Sequence, residues 1–486
     1  MPERQMPEDA SFVRFRRGNK CLGQLSDSIG ATGLKNGDTI SFHHHLRNGD
    51  AVLNTVVEML AGAGLRDLHL AVTSLFPVHA PLVEHIRNGV ITRISASFIA
   101  GPVGEAISRG VLTHPVTLRT HGGRGRAIDL GEMSIDVAFV AASAADDMGN
   151  LSGRTGRAPC GTLGYPMVDV NHARHVVAVT DTLVPFPVTP IDIAQDKVDF
   201  VAVTRSIGDA GGIASGATRP ATDALSLGIA ENTAAVIAAS RLLEDGFAFQ
   251  TGAGGISLAT AAAVGREMGA RGITGSFACG GITGFHVEML EAGLFRALMD
   301  VQCFDLAAVA SYSRNANHMA MSASTYAGPH VGGAVVDRLS AVVLGAAEVD
   351  VNFNVNVTTR AGGVLIGGSG GHGDAAQGAQ LTLITTRLTA AGFPKIVQDV
   401  TTLTTPGASV DVIVTEAGLA VNPAREDLMD RLRKARLALV SIDDLAAMAA
   451  DAATRAVPPR STGPVVAVSE YRYGRIIDEI RQISEA

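Results

Sequence analysis

The segments PLVEHIRNGVI (residues 81–91) and FHVEMLEAGLF (residues 285–295) decide the fold, because each reads as a copy of the other. In each case a short apolar strand precedes a loop that contains Gly or Ser. The helix that follows carries Val-Glu and ends at a glycine suited to a C-cap. Glu84 and Glu288 are therefore equivalent positions, 204 residues apart. The sequence predicts a duplicated α/β unit.

Two further pairs of segments extend the duplication. The first pair, SAADDMGN (residues 143–150) and AEVDVNFN (residues 347–354), has the same offset. The second pair, GLKNGDTISF (residues 33–42) and LEDGFAFQTG (residues 243–252), has a slightly different offset. Their shared order argues against chance similarity of short apolar segments. We predict two similar, open, mostly parallel-sheet α/β domains with the active site in the cleft between them. The predicted boundaries are an N-terminal extension at 1–29, a first domain at 30–220 and a second domain at 221–486.

The composition favours a large enzyme over a binding module or a fibrous protein. A chain of 486 residues with 47% hydrophobic residues can form two or three domains with sizeable cores. Its 55 glycines recur after apolar, β-branched runs such as VVAVTDT and DVIVTEAG, as in strand-to-helix turns. With five Tyr, no Trp and a net charge of −8, the chain offers neither stacking platforms nor a basic stripe, which argues against a nucleic-acid partner.

The remaining global signals point to a cytoplasmic protein. The N-terminal segment is charged, is interrupted by Pro and lacks the apolar stretch of a signal peptide. No apolar run is long enough to span a membrane, so no membrane partner is expected. The four cysteines are widely spaced without a CxxC pair, which indicates reduced thiols rather than disulfides or a zinc site.

Two glycine-rich loops are candidates for binding and catalysis. QTGAGG (residues 250–255) follows an apolar strand and opens a helix, so its backbone N–H groups could hold an oxyanion or a pantetheine chain. GGSGGHGD (residues 367–374) has five glycines in eight residues, which implies that the loop backbone closely approaches a ligand or another segment. In both loops the glycines could instead serve packing alone. The candidate glycines are Gly252, Gly254 and Gly255 for cofactor binding, and Gly370 and Gly371 as oxyanion donors.

Two cationic motifs are candidates for substrate binding. Residues on a strand alternate between faces, so in the HHH run only His43 and His45 can share a side. They are better suited to a substrate carboxylate than to a metal, although a pair satisfied in the core or by solvent stays possible. The motif RTHGGRGRAI (residues 119–128) has three arginines around a predicted Gly-Gly turn, and Arg124 and Arg126 are the candidates. Their forked donors match polycarboxylates, and a solvated basic turn is the alternative.

The order of the longer motifs carries a resemblance. ISFHHHLRNGD, RTHGGRGRAI, CGTLGYPMVD, VTDTLVPFPVTPI, FQTGAGGISLA, EVDVNFNVNV, GGSGGHGD and TPGASVDVIVTEAGLAVNP follow one another as in the alpha subunit of citrate lyase, its citrate CoA-transferase component. The similarity covers roughly residue 30 to the C-terminus. The chain is also similar, more distantly, to the wider CoA-transferase superfamily, whose two tandem open α/β domains would account for the duplication.

This resemblance implies an exchange of acetate for citrate on the thioester of an acyl carrier protein. The thioester would sit on the phosphoribosyl-dephospho-CoA arm of the carrier, the gamma subunit, with CoA or acetyl-CoA as a surrogate. A beta subunit would cleave the citryl-carrier product. The resemblance implies no metal, and we expect a homo-oligomer. Transfer to another carboxylate, such as malonate, is the alternative.

The resemblance also assigns residues. In covalent CoA-transferases a glutamate of the second domain attacks the thioester, and Glu288 falls at that position. Its His-Val neighbourhood departs from the usual Thr or Ser. Direct transfer through a transient mixed anhydride, and a plain helix-terminus carboxylate, therefore stay open. Asn354 and Asn356, in EVDVNFNVNV, are candidates for cofactor binding.

Overall fold

The computed structural model describes residues 18–43, 45–214, 221–252 and 254–483. Its first half is built on a nine-stranded sheet, which is parallel except for its last hairpin. The strand Val137–Ala141 is buried along its whole length, as expected where helices cover both faces of a parallel sheet. In spatial order the strands are Phe200–Val203, His175–Thr180, Val137–Ala141, Thr39–Phe42, Leu68–Val72, Ile91–Ala96, Val116–Arg119, Val465–Glu470 and Ile476–Arg481.

The second half repeats this plan with an eight-stranded sheet. Its strands pair in parallel except for the last two, which form an antiparallel hairpin. In spatial order they are His318–Ala320, Phe295–Cys303, Gly275–Ile282, Ala248–Thr251, Ala341–Gly345, Thr382–Thr385, Val412–Thr415 and Gly418–Val421. The predicted fold class, two similar α/β units with mostly parallel sheets, is confirmed.

Helices connect the strands in both halves. Those of the first half are Asp27–Thr32, Val52–Gly62, Leu82–Arg87, Pro102–Ser108, His121–Asp129 and Pro166–His172. Those of the second half are Ala224–Ala239, Gly255–Arg271, Gly284–Glu291, Leu306–Arg314, Ala323–Ala327, His372–Gly378, Glu426–Lys434 and Ile442–Ala452. None of the described helices is long and apolar enough to cross a membrane. All four cysteines are free thiols.

The repeated sequence folds into a repeated turn beside each large sheet. In the first half the Asp146 carboxylate accepts hydrogen bonds from the backbone N–H of Asn150 at 3.0 Å and from its side-chain amide at 2.8 Å. In the second half the Asp350 carboxylate accepts the same two bonds from Asn354, both at 3.0 Å. The sequence offset of 204 residues therefore corresponds to equivalent structure.

The C-terminal hairpin corrects the predicted boundary of the second domain. The strand Val465–Glu470 pairs in parallel with Val116–Arg119, so the chain returns to the first sheet after it completes the second. This pairing covers an edge that would otherwise expose unpaired backbone groups. Residues 221–486 are therefore not one continuous unit.

The predicted N-terminal extension is also partly integrated into the first half. The backbone N–H of Leu22 donates to the carbonyl of Val201 at 2.8 Å, and the helix Asp27–Thr32 follows. Residues 18–29 thus pack on the first sheet. Residues 1–17, and residues 215–220 next to the predicted boundary between the domains, lie outside the described residues.

Candidate active site

A cavity of about 490 Å³ lies between the two halves. Segments that follow the strands Leu68–Val72 and Ile91–Ala96 contribute to it, as expected at the carboxyl ends of parallel strands. The first half contributes Arg47, Ser74, Phe76, Phe98, His121 and Tyr165, and the second contributes Gln250, Thr251, Gly252, Gly254, Gly281, Val301, Gln302, Phe304, Tyr326, 344–347, Val357 and 368–372. We call it the central cavity.

The glycine loop at 367–374 joins the two halves through its backbone. The carbonyl of Gly370 accepts a hydrogen bond from the N–H of His121 at 2.8 Å, and the N–H of Gly370 donates to the carbonyl of Ser97 at 3.1 Å. Nearby, the N–H of Gly122 donates to the Asp374 carboxylate at 2.9 Å. These hydrogen bonds hold the loop in place. Because its glycines have no side chains, they leave the cavity open.

Only one of the two predicted oxyanion donors keeps its N–H available. The N–H of Gly370 is used by Ser97. The N–H of Gly371 has no acceptor within the described part of the chain. A Cβ at Gly371 would lie 2.5 Å from the hydroxyl of Tyr326, so glycine is required for this approach. Gly371, rather than Gly370, can thus donate to an oxyanion.

Tyr326 brings a hydroxyl to the same wall of the central cavity. Its oxygen accepts a hydrogen bond from the Gln250 amide at 2.9 Å, which leaves the hydroxyl proton to be donated elsewhere. Burial raises the pKa of Tyr326 well above its usual value, so the phenol stays protonated. Gly371 N–H and Tyr326 O–H are therefore neighbouring donors. No sequence pattern distinguished Tyr326, and Gln250 was quoted only as the first residue of QTGAGG.

The QTGAGG loop lies where the sequence predicts it. Gly252 and Gly254 line the central cavity. The N–H of Gly252 donates to the carbonyl of Val343 at 2.8 Å. Gly252 therefore brings the loop backbone close to the neighbouring strand. Gly255 begins the helix Gly255–Arg271 and lines an adjoining cavity of about 230 Å³. That cavity also contains Lys395, whose pKa burial lowers to about 8.

Arg47 is the only arginine or lysine among the described residues that line the central cavity. It is buried, and its guanidinium lies 4.3 Å from the ring centroid of Phe304 and 5.6 Å from that of Phe76. It donates to the carbonyl of Ile213 at 3.2 Å, and no described carboxylate lies within 4.0 Å of it. Burial lowers its pKa to about 10, so it remains cationic at neutral pH. Arg47 is not among the residues predicted from the sequence, although it belongs to the quoted motif ISFHHHLRNGD.

His121 lines the cavity beside the glycine loop. Its ring centroid lies 4.7 Å from that of Tyr165. Burial, with a smaller contribution from Arg124, lowers the pKa of His121 to about 3, so the imidazole is neutral at physiological pH. Its Nδ1 atom is buried and has no hydrogen-bond partner among the described residues. A neutral imidazole here can exchange a hydrogen bond with a bound substrate.

The structure corrects the proposed roles of His43 and Arg124. The Asp169 carboxylate accepts two hydrogen bonds from the Arg124 guanidinium, both at 2.8 Å, and one from His43 Nε2 at 2.9 Å. All three residues are buried, and none lines the central cavity. Arg124 and His43 hold the pKa of Asp169 well below its usual value despite burial. The charge of Arg124 is thus neutralised by Asp169 and is not available to a substrate carboxylate.

His45 and Arg126 also lie outside the central cavity. His45 is buried, with its ring centroid 6.3 Å from that of Tyr165. Arg126 pairs with Glu132 and, at 3.3 Å, with Glu470. Their predicted contact with substrate is therefore not supported by their positions.

The predicted Gly-Gly turn is in fact the first turn of a helix. Thr120 caps the helix His121–Asp129 by accepting a hydrogen bond from the N–H of Gly123 at 2.8 Å. The side-chain cap compensates for the glycines that suggested a turn. This helix places His121 in the cavity and directs Arg124 into the core.

Glu288 lies on the exposed side of the helix Gly284–Glu291 and does not line the cavity. A role as the attacking nucleophile does not fit this position. The two asparagines predicted to bind a cofactor instead hold their own loops. Asn354 donates to Asp350 and accepts from the N–H of Gly407 at 2.9 Å. The amide of Asn356 donates to the Glu348 carboxylate at 2.9 Å.

One buried cluster in the described ranges has the residue types of a metal site. Candidate ligand atoms of Asp300, Cys303 and His318 lie within 4.8 Å of one another. Cys303 Sγ donates to the Asp300 carboxylate at 3.0 Å, and His318 Nε2 lies 3.1 Å from the same carboxylate. Burial and Asp300 raise the pKa of Cys303 well above its usual value, so its sulfur keeps its proton. The cluster is a hydrogen-bonded part of the core.

Two similar α/β halves, with a glycine loop that closes the cavity between them, define a CoA-transferase-like protein. The family model "Citrate lyase, alpha subunit (CitF)" matches residues 18–483. The citrate lyase alpha chain of Klebsiella pneumoniae is 46% identical over 97% of this chain and 93% of its own length. That of Escherichia coli is 46% identical over 99% and 94%. The chain belongs to the citrate lyase alpha subunit family.

Solved structures agree with this assignment. The alpha subunit of citrate lyase from Streptococcus mutans, determined in complex with citrate, superimposes with a TM-score of 0.94. The two proteins are 45% identical, and the match covers 96% of this chain and 92% of the other. A Pseudomonas malonate decarboxylase hetero-tetramer in complex with malonate matches with a TM-score of 0.66 at 16% identity over 90% of each chain, which indicates a shared fold only.

Proposed function

We propose that this protein exchanges acetate for citrate on an acyl-carrier thioester. Acetyl-S-carrier and citrate would give citryl-S-carrier and acetate. The observation that carries the proposal is Arg47, a buried cation without a carboxylate partner among the described residues, on the wall of a cavity between the two halves. The 45% identical Streptococcus mutans relative, which was solved with citrate, supports the choice of substrate.

Arg47 is suited to fix one carboxylate of citrate. A guanidinium that is removed from water without a counterion is costly, and a bound carboxylate offsets that cost through paired, charge-assisted hydrogen bonds. Because Phe304 and Phe76 contact the guanidinium, its position is restricted before substrate arrives. A second carboxylate of citrate would then be held near the thioester carbonyl.

In the proposed reaction an oxygen of the held carboxylate attacks the thioester carbonyl. The negative charge that develops on the carbonyl oxygen is stabilised by the N–H of Gly371 and the O–H of Tyr326. The C–S bond then breaks, which leaves a citryl-acetyl anhydride and the carrier thiolate. Attack of the thiolate on the citryl carbonyl forms the new thioester and releases acetate. No side chain becomes acylated in this route, in keeping with the exposed position of Glu288.

The carrier arm would enter along the QTGAGG loop. The adjoining cavity shares Gly254, Gly345 and Ala346 with the central cavity, and contains Lys395 and Arg387 farther along. The Lys395 ammonium suits the phosphates of a phosphoribosyl-dephospho-CoA arm, whereas the Arg387 guanidinium is paired with Asp223. In the proposed assembly, which we expect to be cytoplasmic, a gamma subunit carries this arm, a beta subunit cleaves the citryl product, and the alpha chain forms a homo-oligomer.

Substrate choice can be tested with free thioesters. The purified chain would be incubated with acetyl-CoA and, separately, citrate, malonate, succinate and tartrate, and acyl-CoA products would be identified by mass spectrometry. We expect citryl-CoA to be the main product. Preferential formation of malonyl-CoA would favour the alternative substrate, and absence of any transfer would contradict the proposed function.

A further inference from the structure

A second polar cavity, of about 390 Å³, lies on the first sheet away from the central cavity. No residue lines both cavities. Its base is formed by side chains from neighbouring parallel strands, which project from the same face because residues alternate along a strand. We call it the sheet-face cavity, and its polar wall includes His69, Arg93, Ser95, His114, Thr117 and Arg119.

Arg93 is the cationic side chain of this cavity that has no carboxylate partner among the described residues. Its guanidinium donates only to the carbonyls of Gly37 at 3.2 Å and Asp67 at 3.4 Å. Its Nε atom is buried without a hydrogen-bond partner, and no carboxylate of the described residues lies within 4.0 Å of it. Arg93 is half-buried, and its shielded, unpaired Nε donor favours an anion that would complete the coordination of the guanidinium.

The surroundings do not supply that anion. Arg119 shares the Glu470 carboxylate with Arg126, at 3.0 Å and 3.3 Å, and Arg126 also pairs with Glu132. Of these residues Arg119 and Glu132 line the cavity with Arg93, and Arg93 is the arginine left without a carboxylate partner among the described residues. The neighbouring His69 is neutral, since burial and the two adjacent arginines lower its pKa to about 4. The cavity wall therefore carries two arginines and one glutamate, in a chain whose net charge is −8.

The donors available in the sheet-face cavity match an oxyanion. Ser95 is buried and accepts from Arg119 at 3.2 Å, so its own hydroxyl proton can point elsewhere, including toward His69 Nε2 at 3.0 Å. We propose that the sheet-face cavity binds a small oxyanion, a phosphate or a carboxylate, held chiefly by Arg93 with Arg119. This site is separate from the one that holds the transferred substrate.

The proposal can be tested by isothermal titration of the full chain with inorganic phosphate and, separately, with malonate. Both titrations would be repeated in Arg47→Met, which removes the cation of the central cavity. We expect saturable binding that persists in Arg47→Met and weakens about tenfold or more in Arg93→Met, because a charge-assisted hydrogen bond is lost. Arg433→Met, an exposed arginine elsewhere, should bind as the wild type does. The tighter of the two anions identifies the source as phosphate or carboxylate.

Three results would overturn the proposal: no saturable binding, equal binding in wild type and Arg93→Met, or binding that is lost in Arg47→Met alone. If Arg93→Met does not fold, modification of wild-type arginines by phenylglyoxal gives an independent test. Phosphate should then slow modification of Arg93, as mapped by mass spectrometry, and an unchanged rate would contradict the site. Because neither readout measures transfer, failure here is distinguishable from failure of the proposed function.

Discussion

At the scale of single residues, the hydrogen bonds that a donor group already makes within the protein decide whether it can bind substrate. Gly370 and Gly371 are neighbours in the same loop, but the N–H of Gly370 is committed to Ser97. Arg47 and Arg124 are both buried arginines, but Asp169 neutralises only Arg124. The residues proposed to act are the ones whose donors remain unused.

Gly371→Ala should lower kcat while the protein stays folded. Its φ of −92° allows an alanine, but the added methyl would lie 2.5 Å from the Tyr326 hydroxyl and displace one of the two donors. We expect a loss of about a hundredfold in acetyl-CoA:citrate transfer, the typical cost of one oxyanion donor. Gly332→Ala, where the methyl would meet nothing within 4 Å, is the control. Normal turnover in a folded Gly371→Ala would show that the loop only packs.

Glu288→Gln should leave transfer nearly unchanged. The side chain is exposed and outside the central cavity, so we expect kcat within about twofold of wild type, as for most surface substitutions. Glu84→Gln, at the equivalent position of the first half, provides a matched control. A glutamyl adduct at Glu288, trapped by hydroxylamine at the rate of turnover, would contradict direct transfer.

At the scale of secondary-structure elements, one buried ion pair connects two helices behind the cavity. Arg124 belongs to the helix His121–Asp129, and its partner Asp169 belongs to Pro166–His172. The first of these helices also places His121 on the cavity wall. Arg124 thus supports the site by orienting a helix instead of touching citrate.

Arg124→Met should destabilise the fold by about 3–5 kcal/mol, because Asp169 would remain buried without its counterion. The depressed pKa of Asp169 gives stability that is present above its ordinary value of 3.8 and is lost as the pH falls below it. Urea denaturation followed from pH 7 to pH 3 should therefore show that the difference between wild type and variant shrinks only below about pH 4. Arg87→Met, which breaks an exposed pair with Glu84, should change stability by about 0.5 kcal/mol or less. A similarly small effect in Arg124→Met would contradict the role of the pair.

At the scale of the whole molecule, the two sheets and the cavity between them could be predicted because the repeated segments are recognisable from short stretches of sequence. The density of glycines at 367–374 likewise identified the loop that closes the cavity. The hairpin of Val465–Glu470 and Ile476–Arg481 could not be placed, since nothing local indicates that it pairs with a strand some 350 residues earlier. For the same reason the partner of each arginine could not be predicted, as it depends on which elements meet in space.

The central claim is that citrate is held by Arg47 in the cavity between the halves. Steady-state kinetics of Arg47→Met with citrate and acetyl-CoA test it most directly. We expect the KM for citrate to rise about tenfold or more through loss of a charge-assisted pair, with little change in the KM for acetyl-CoA. Arg126→Met, whose guanidinium pairs with Glu132 and Glu470, should keep the wild-type KM for citrate. An unchanged citrate KM in Arg47→Met, or a rise only in Arg126→Met, would contradict the account.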